Sequence, residues 1–282
     1  MKKYSLFNSD DEIIIKPIQR FGGIDIGELW RYRELFLTFT WRDIKVRYRQ
    51  TFLGVSWAII PPVLSMIIFS VIFGNFLGIS SEGTPYPVFV YTGTLLWTYF
   101  SRSLTKTSNS LVSHRSMIQK IYFPRIILPL SSIIAGLLDF SISLIILFLL
   151  MVYFQIYPNL LVGIPITLFI LIITILTSLG FGLFFSAVNV RYRDVKQALP
   201  FLTQLGFFIT PVVYPVTSFK EWSFLLWFNP MAGVIKNARA ALLGTGPIEW
   251  NLLFFSLIIS IICFILGVFY FKLVEKDFAD VI

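Results

Sequence analysis

The feature that most constrains this chain is a succession of apolar runs too long for the interior of a water-soluble domain. A bilayer core of about 30 Å takes about 20 apolar residues in helical form. Backbone inside it must satisfy its own polar groups, so each run reads as a helix. Six runs fit: Val55–Leu77, Pro87–Ser101, Ile126–Phe154, Leu161–Val190, Gln197–Tyr214 and Trp250–Phe271. The second is short as written and is expected to run on past Arg102, whose long side chain can reach toward headgroups. Composition agrees. Of 282 residues 56% are hydrophobic and only 13% charged, against ~25% charged in an average soluble domain. This excludes a disordered chain and an ordinary soluble enzyme. The single cysteine, Cys263, excludes a disulfide scaffold. The fold class expected is an all-α integral membrane protein with six transmembrane helices.

Basic residues set the expected direction. With these six runs, all but three of the 23 Lys and Arg residues fall on one side; the exceptions are Lys220, Lys236 and Arg239. The positive-inside bias then places both termini in the cytoplasm. The first fifty residues are polar, and no cleaved signal sequence is visible among them. Arg-Tyr-Arg occurs at 31–33, 47–49 and 191–193, always on the cytoplasmic side. The flanking runs do not match, so these are read as interfacial anchors rather than a repeat.

Residues 1–26 form a polar lead segment, 27–50 an amphipathic interface helix, and 51–282 the six-span body. In 27–50 a polar stripe of Arg31, Glu34, Thr38, Arg42, Lys45 and Arg49 recurs at helical spacing. Leu29, Tyr32, Phe36 and Phe39 oppose it at first. Trp41, Ile44 and Tyr48 oppose it later, which suggests a bend near residue 40. The segment reads either as an anchor that sets tilt or as a collector of anionic headgroups through Arg42, Lys45, Arg47 and Arg49. In the loop after the second run, residues 114–122 form a short helix closed by Pro124. Met117, Ile118, Ile121 and Tyr122 make an apolar edge, with Arg115 and Lys120 away from it. That edge is either a docking peg for a partner or a further anchor.

No phosphate-binding loop of the form G-x-x-x-x-G-K-[ST] occurs in the sequence, so ATP hydrolysis is not expected of this chain. His114 is the only histidine, and no metal or nucleophile site is built around it. Apart from tyrosines and Cys263, Asp139 is the one ionisable group inside the runs. It is either a relay acid or a packing group capped by Ser or Thr hydroxyls. After the fifth run, Phe219–Phe228 and Met231–Leu243 are apolar but too short to span, and Pro215, Pro230, Gly233, Gly244 and Pro247 punctuate them. They read as a re-entrant pair over a pore mouth, or as a hairpin lying on the outer surface.

Four stretches in order resemble one family: Asp43 to Pro62 (DIKVRYRQTFLGVSWAIIPP), Asn189 to Asp194 (NVRYRD), Thr210 to Tyr214 (TPVVY) and Phe228 to Met231 (FNPM). They resemble the permease subunit of type-2 ABC exporters of lipid-linked polysaccharides, the branch that moves O-antigens, capsular polysaccharides and teichoic acids. The resemblance implies a homodimer bound to two copies of a separate ATPase that holds ATP and Mg, with no cofactor in this chain and no nucleic-acid partner. It implies a bacterial inner membrane, a coupling role for His114–Tyr122, and gate helices at about 219–243. It also implies that a sugar polymer on a polyprenyl pyrophosphate is the cargo. Aromatic faces that could line its path are Trp57, Tyr91, Trp97, Tyr99, Phe207, Phe208 and Tyr214. Other cargo for the same machine, an ion-coupled transporter and a membrane scaffold remain alternatives.

Overall fold

The computed structural model describes residues 26–49, 56–158, 160–218, 223–275 and 278, and every regular element among them is a helix. The expectations for residues 1–25, for the entry to the first run at 51–55, and for Phe219 and Lys220 lie outside the described residues. In chain order the helices are α1 (Ile26–Arg31), α2 (Arg33–Tyr48), α3 (Ser56–Phe69), α4 (Tyr86–Ser113), α5 (Arg115–Ile118) and α6 (Ile127–Tyr153). They continue with α7 (Leu160–Arg191), α8 (Val195–Ile209), α9 (Ser223–Leu226), α10 (Pro230–Leu243) and α11 (Trp250–Glu275). A wider π-helical segment, Ser70–Phe76, extends α3.

Among the described residues four helices are long and apolar enough to cross a membrane: Ser56–Phe76, Ile127–Tyr153, Leu161–Arg191 and Trp250–Glu275. The chain is a multi-pass membrane protein. At 28 residues α4 is equally long, but hydroxyl side chains make it more polar. Several of those hydroxyls turn back on their own helix, as when Thr92 donates to Val88 O at 2.9 Å and Ser110 to Thr107 O at 2.7 Å. Their demand for partners is met locally, and α4 lies at the centre, packed on both α6 and α7.

The fifth run differs from its expected length. Helix α8 stops at Ile209 after 15 residues, about 22 Å at 1.5 Å per residue. The reason is Pro211: the residue before a proline is driven out of the helical region, and Thr210 is extended at φ −86°, ψ 140°. Nor does a break fall near residue 40. Helix α2 is continuous through it, and the interruption falls at Tyr32.

Two apolar clusters hold the bundle. The larger joins α4, α6, α7, α10 and α11. The smaller gathers Phe39, Leu111, Ile118, Phe123, Ile126, Ile127, Leu183, Phe271 and Phe278 near the ends of α4, α7 and α11. There Arg125 donates to Glu275 O and lies over the Phe278 ring at 5.8 Å. The tightest backbone approach is between α7 and α11. A Cβ on Gly180 would stand 2.5 Å from the Cys263 carbonyl carbon, and one on Gly267 would stand 2.2 Å from Gly180 O. Only hydrogen at both positions lets the two helices meet this closely.

Candidate functional site

Helix α2 packs along α6, and this brings three charged or phenolic groups together. Arg47 forms an ion pair with Asp139, and Tyr48 donates its hydroxyl to the other Asp139 oxygen. Burial, with the carboxylate beside it, pushes the Tyr48 phenol up to about 12. Asp139 is therefore held by a cation and a phenol from α2, not by the Ser and Thr hydroxyls expected. Of the headgroup candidates, Arg47 is thus engaged. Arg42 is engaged too, by Asp43 at 2.8 Å, by His114 Nε2 and over the Phe39 ring at 5.0 Å. Lys45 and Arg49 remain exposed, Lys45 above the Trp41 ring at 5.4 Å.

The 114–122 segment is shorter in helix than expected, with α5 covering only Arg115–Ile118. Since Arg42 donates to His114 Nε2, the Nδ1–H is left to donate to Ser110 O at 2.6 Å. The apolar edge is divided. Ile118 is turned into the smaller cluster at 6% exposure, Met117 packs against that cluster, and only Ile121 and Tyr122 stand out at 55% and 54%. Arg115 is exposed. A notch of about 220 Å³ opens here, lined by residues 118–123 and Arg125. The Tyr122 hydroxyl reaches Glu28 Oε1 of α1 at 3.5 Å, and burial together with Glu28 raises its phenol pKa.

The far end of α8 carries a feature that the sequence did not disclose. Past Ile209 the backbone leaves the helix, and the Pro211–Tyr214 carbonyls need donors. Arg239, in α10 and fully buried, supplies most of them. Its Nη1 donates to Pro211 O at 2.9 Å and Tyr214 O at 3.4 Å, its Nη2 to Val212 O, and its Nε to Phe89 O of α4 at 3.1 Å. The remaining carbonyl, Val213 O, takes the Tyr86 hydroxyl. The guanidinium lies 3.6 Å from the Phe89 ring centroid. Gly93 makes the space, since a Cβ there would sit 2.5 Å from Val212 O and 2.6 Å from Arg239 Nη2. Arg239, counted by sequence among the external loop charges, is an interior residue. Lys236 pairs with Glu249.

Two of the four stretches that carry the resemblance, 210–214 and 228–231, meet at this point. Asn229 caps α10 by accepting from Met231 N at 3.0 Å, and its Nδ2 donates to Thr210 Oγ1 at 2.8 Å. Asn189 ties the end of α7 to α4 through Ser108 O at 3.0 Å and Asn109 Oδ1 at 3.1 Å. Of the aromatic candidates, Tyr91, Trp97 and Tyr99 are in the core at 0%, 8% and 4% exposure. Tyr91 donates to Ser143 O at 3.2 Å, Trp97 packs on Phe100 and Phe207, and Tyr99 packs on Phe140. Phe207 and Tyr214 are half-buried, and Trp57 and Phe208 are exposed. The rings of these three are packed into the core rather than presented on an open face.

Long apolar helices, a basic helix packed along α6 and a bundle end pinned by a buried arginine define a helical membrane protein. Residues 34–243 match the family described as ABC-2 type transporter, and the chain belongs to it. It is 28% identical over 254 residues to an O-antigen export system permease protein of Klebsiella pneumoniae, covering 88% of this chain and 95% of that one. It is 29% identical over 220 residues to the Myxococcus xanthus permease of the same name, covering 76% and 82%. With a polysialic acid transport protein of Escherichia coli it shares 30% over 212 residues, covering 72% and 78%.

Proposed function

We propose that this chain is the membrane-embedded half of an ATP-driven exporter of a lipid-linked polysaccharide of O-antigen type, working in a bacterial inner membrane. The observation that carries this reading is its similarity, along most of its length, to permeases named for O-antigen export and polysialic acid transport. Two copies of the chain would frame the channel and two copies of a separate ABC ATPase would drive it. The absence of a phosphate-binding loop from the sequence favours a partner that holds ATP and Mg.

In this reading α3, α4, α6, α7, α8 and α11 are the six spans, both termini are cytoplasmic, and α9–α10 form a re-entrant gate. The burial of α10 against α4, α7 and α11 supports the gate over a hairpin lying on the surface. The ATPase would engage Arg115, Ile121 and Tyr122 around the 118–125 notch. Lys45 of α2 and Arg49 just past its end, exposed and without an ion-pair partner among the described residues, would meet the anionic pyrophosphate. The engagement of Asp139 by Arg47 and Tyr48 of α2 gives it a structural use, which favours the packing reading over the relay one.

The test is co-purification with an ABC ATPase, together with restored surface polysaccharide in a strain lacking its own export permease. Retention of the ATPase and restored display are expected. A chain that assembles in the membrane yet holds no ATPase and restores nothing refutes the reading.

A further inference from the structure

Between α4 and α6 lies a cleft that none of the roles above uses. It is lined by Tyr99, Arg102, Ser103 and Lys106 on α4 and by Gly136 and Asp139 on α6, among others. Arg102 and Lys106 stand one helical turn apart, on the same face. Among the described residues neither has an ion-pair partner; Asp139 is taken by Arg47 and Tyr48. Counting Arg47, cations outnumber the one carboxylate by two. At the deep end the Tyr99 and Ser103 hydroxyls are buried, at 4% and 2% exposure; they neighbour each other, and neither has any further hydrogen-bond partner among the described residues. Gly136 keeps this end open: a Cβ there would stand 3.3 Å from Ser103 Oγ. The enclosed space is about 20 Å³, room for a single oxygen-sized group.

Two buried hydroxyls without a further acceptor, beneath two cations without anions, are an incomplete set. What completes both halves is an anion that offers one oxygen to the hydroxyls and its charge to the cations. We propose that the cleft binds a phosphate group carried on a membrane lipid. One phosphoryl oxygen enters between Tyr99 and Ser103, and the others lie under Arg102 and Lys106. A carboxylate of an acidic peptide fits less well, since α4 and α6 are read as crossing the bilayer and what reaches their flank is lipid. The site rests on that reading but not on ATP-driven export. The lipid is either an anionic phospholipid of the bilayer or the pyrophosphate end of a polyprenyl carrier.

Delipidated chain in neutral detergent is incubated separately with phosphatidylglycerol, phosphatidylcholine and undecaprenyl pyrophosphate, and retained lipid is read by native mass spectrometry. One or both anionic lipids should be retained at least about tenfold over phosphatidylcholine, the scale that two interfacial cations supply. The preference should vanish in the double variant R102Q/K106Q. It should drop about two- to fivefold in Tyr99→Phe, which keeps the ring against Phe140 and loses only the hydroxyl. Retention of phosphatidylglycerol alone makes the bilayer the source, and retention of the pyrophosphate alone makes it the carrier. Equal retention by wild type and R102Q/K106Q overturns the site, as does the lack of any preference over phosphatidylcholine or an unchanged Tyr99→Phe. The assay uses neither ATPase nor export, so its failure leaves the export reading standing.

Discussion

Replacing Arg239 with Met tests the logic of the segment after α8 most directly. The substitution keeps much of the side-chain volume and removes every donor. Pro211 O, Val212 O and Tyr214 O then lose their side-chain donor in a largely buried setting, while Phe89 O loses the contact that joins α4 to the same centre. A buried polar group without a partner costs about 1–3 kcal/mol. Three such carbonyls therefore cost about 3–9 kcal/mol. Against this stands the relief of burying a guanidinium that has no counter-charge in hydrogen-bond range, several kcal/mol on its own. The net expected is a loss of about 2–4 kcal/mol, a fall of about 4–16 °C in the melting point of a domain of this size. The assay is intrinsic tryptophan fluorescence on heating in detergent, with Arg239→Lys as the comparison. Lys is a point donor without the planar fork and should recover only part of the loss. If Arg239→Met melts within 2 °C of wild type, or if Lys substitutes fully, the claim that this residue satisfies the broken segment is refuted.

Three further outcomes follow from the α2–α6 contact and the 114–122 segment. Arg47→Gln and Asp139→Asn should each destabilise by about 1–3 kcal/mol, and the double variant by clearly less than the sum, read as the coupling term of a double-mutant cycle; additive effects would dissolve the pair. The Tyr48 phenol is raised to about 12 from its usual 10. Its contribution is therefore fully present below pH 10 and lost as pH climbs from 10 to 12. A thermal-melt series should lose stability across that window in wild type and less in Tyr48→Phe, and identical curves would remove the assignment. Ile118→Asp should lower the melting point sharply by placing a charge in the core. Ile121→Asp should leave it nearly unchanged while reducing binding of a partner ATPase; the reverse pattern would show that the two residues have been assigned the wrong faces.

The apolar runs of α3, α6, α7 and α11 are legible in sequence because lipid demands length and apolarity from each segment by itself. Their partners are not, because partners are chosen across the fold. Asp139 read as an isolated acid; its answer lies 92 positions earlier, on a helix whose own periodicity pointed it at headgroups. Ile118 and Ile121 are equally apolar, and nothing in their spacing said that Phe39 and Phe123 would claim one of them. Tyr91, Trp97 and Tyr99 show the same limit, since an aromatic ring suits a core and a pore wall equally. Arg239 left a usable signal. An arginine inside a short apolar helix is expensive unless it finds partners, and the Thr-Pro break at 210–211 was bound to leave carbonyls in want of donors.

The Arg239 knot has a mechanical corollary. Backbone from α4, the segment after α8 and helix α10 converge on one planar cation, and Asn229 adds a second tie to Thr210. Freeing one carbonyl leaves the same guanidinium still bonded to the others, so the hub resists piecemeal loosening. The three parts of the chain are expected to shift together, with bending left to the chain on either side.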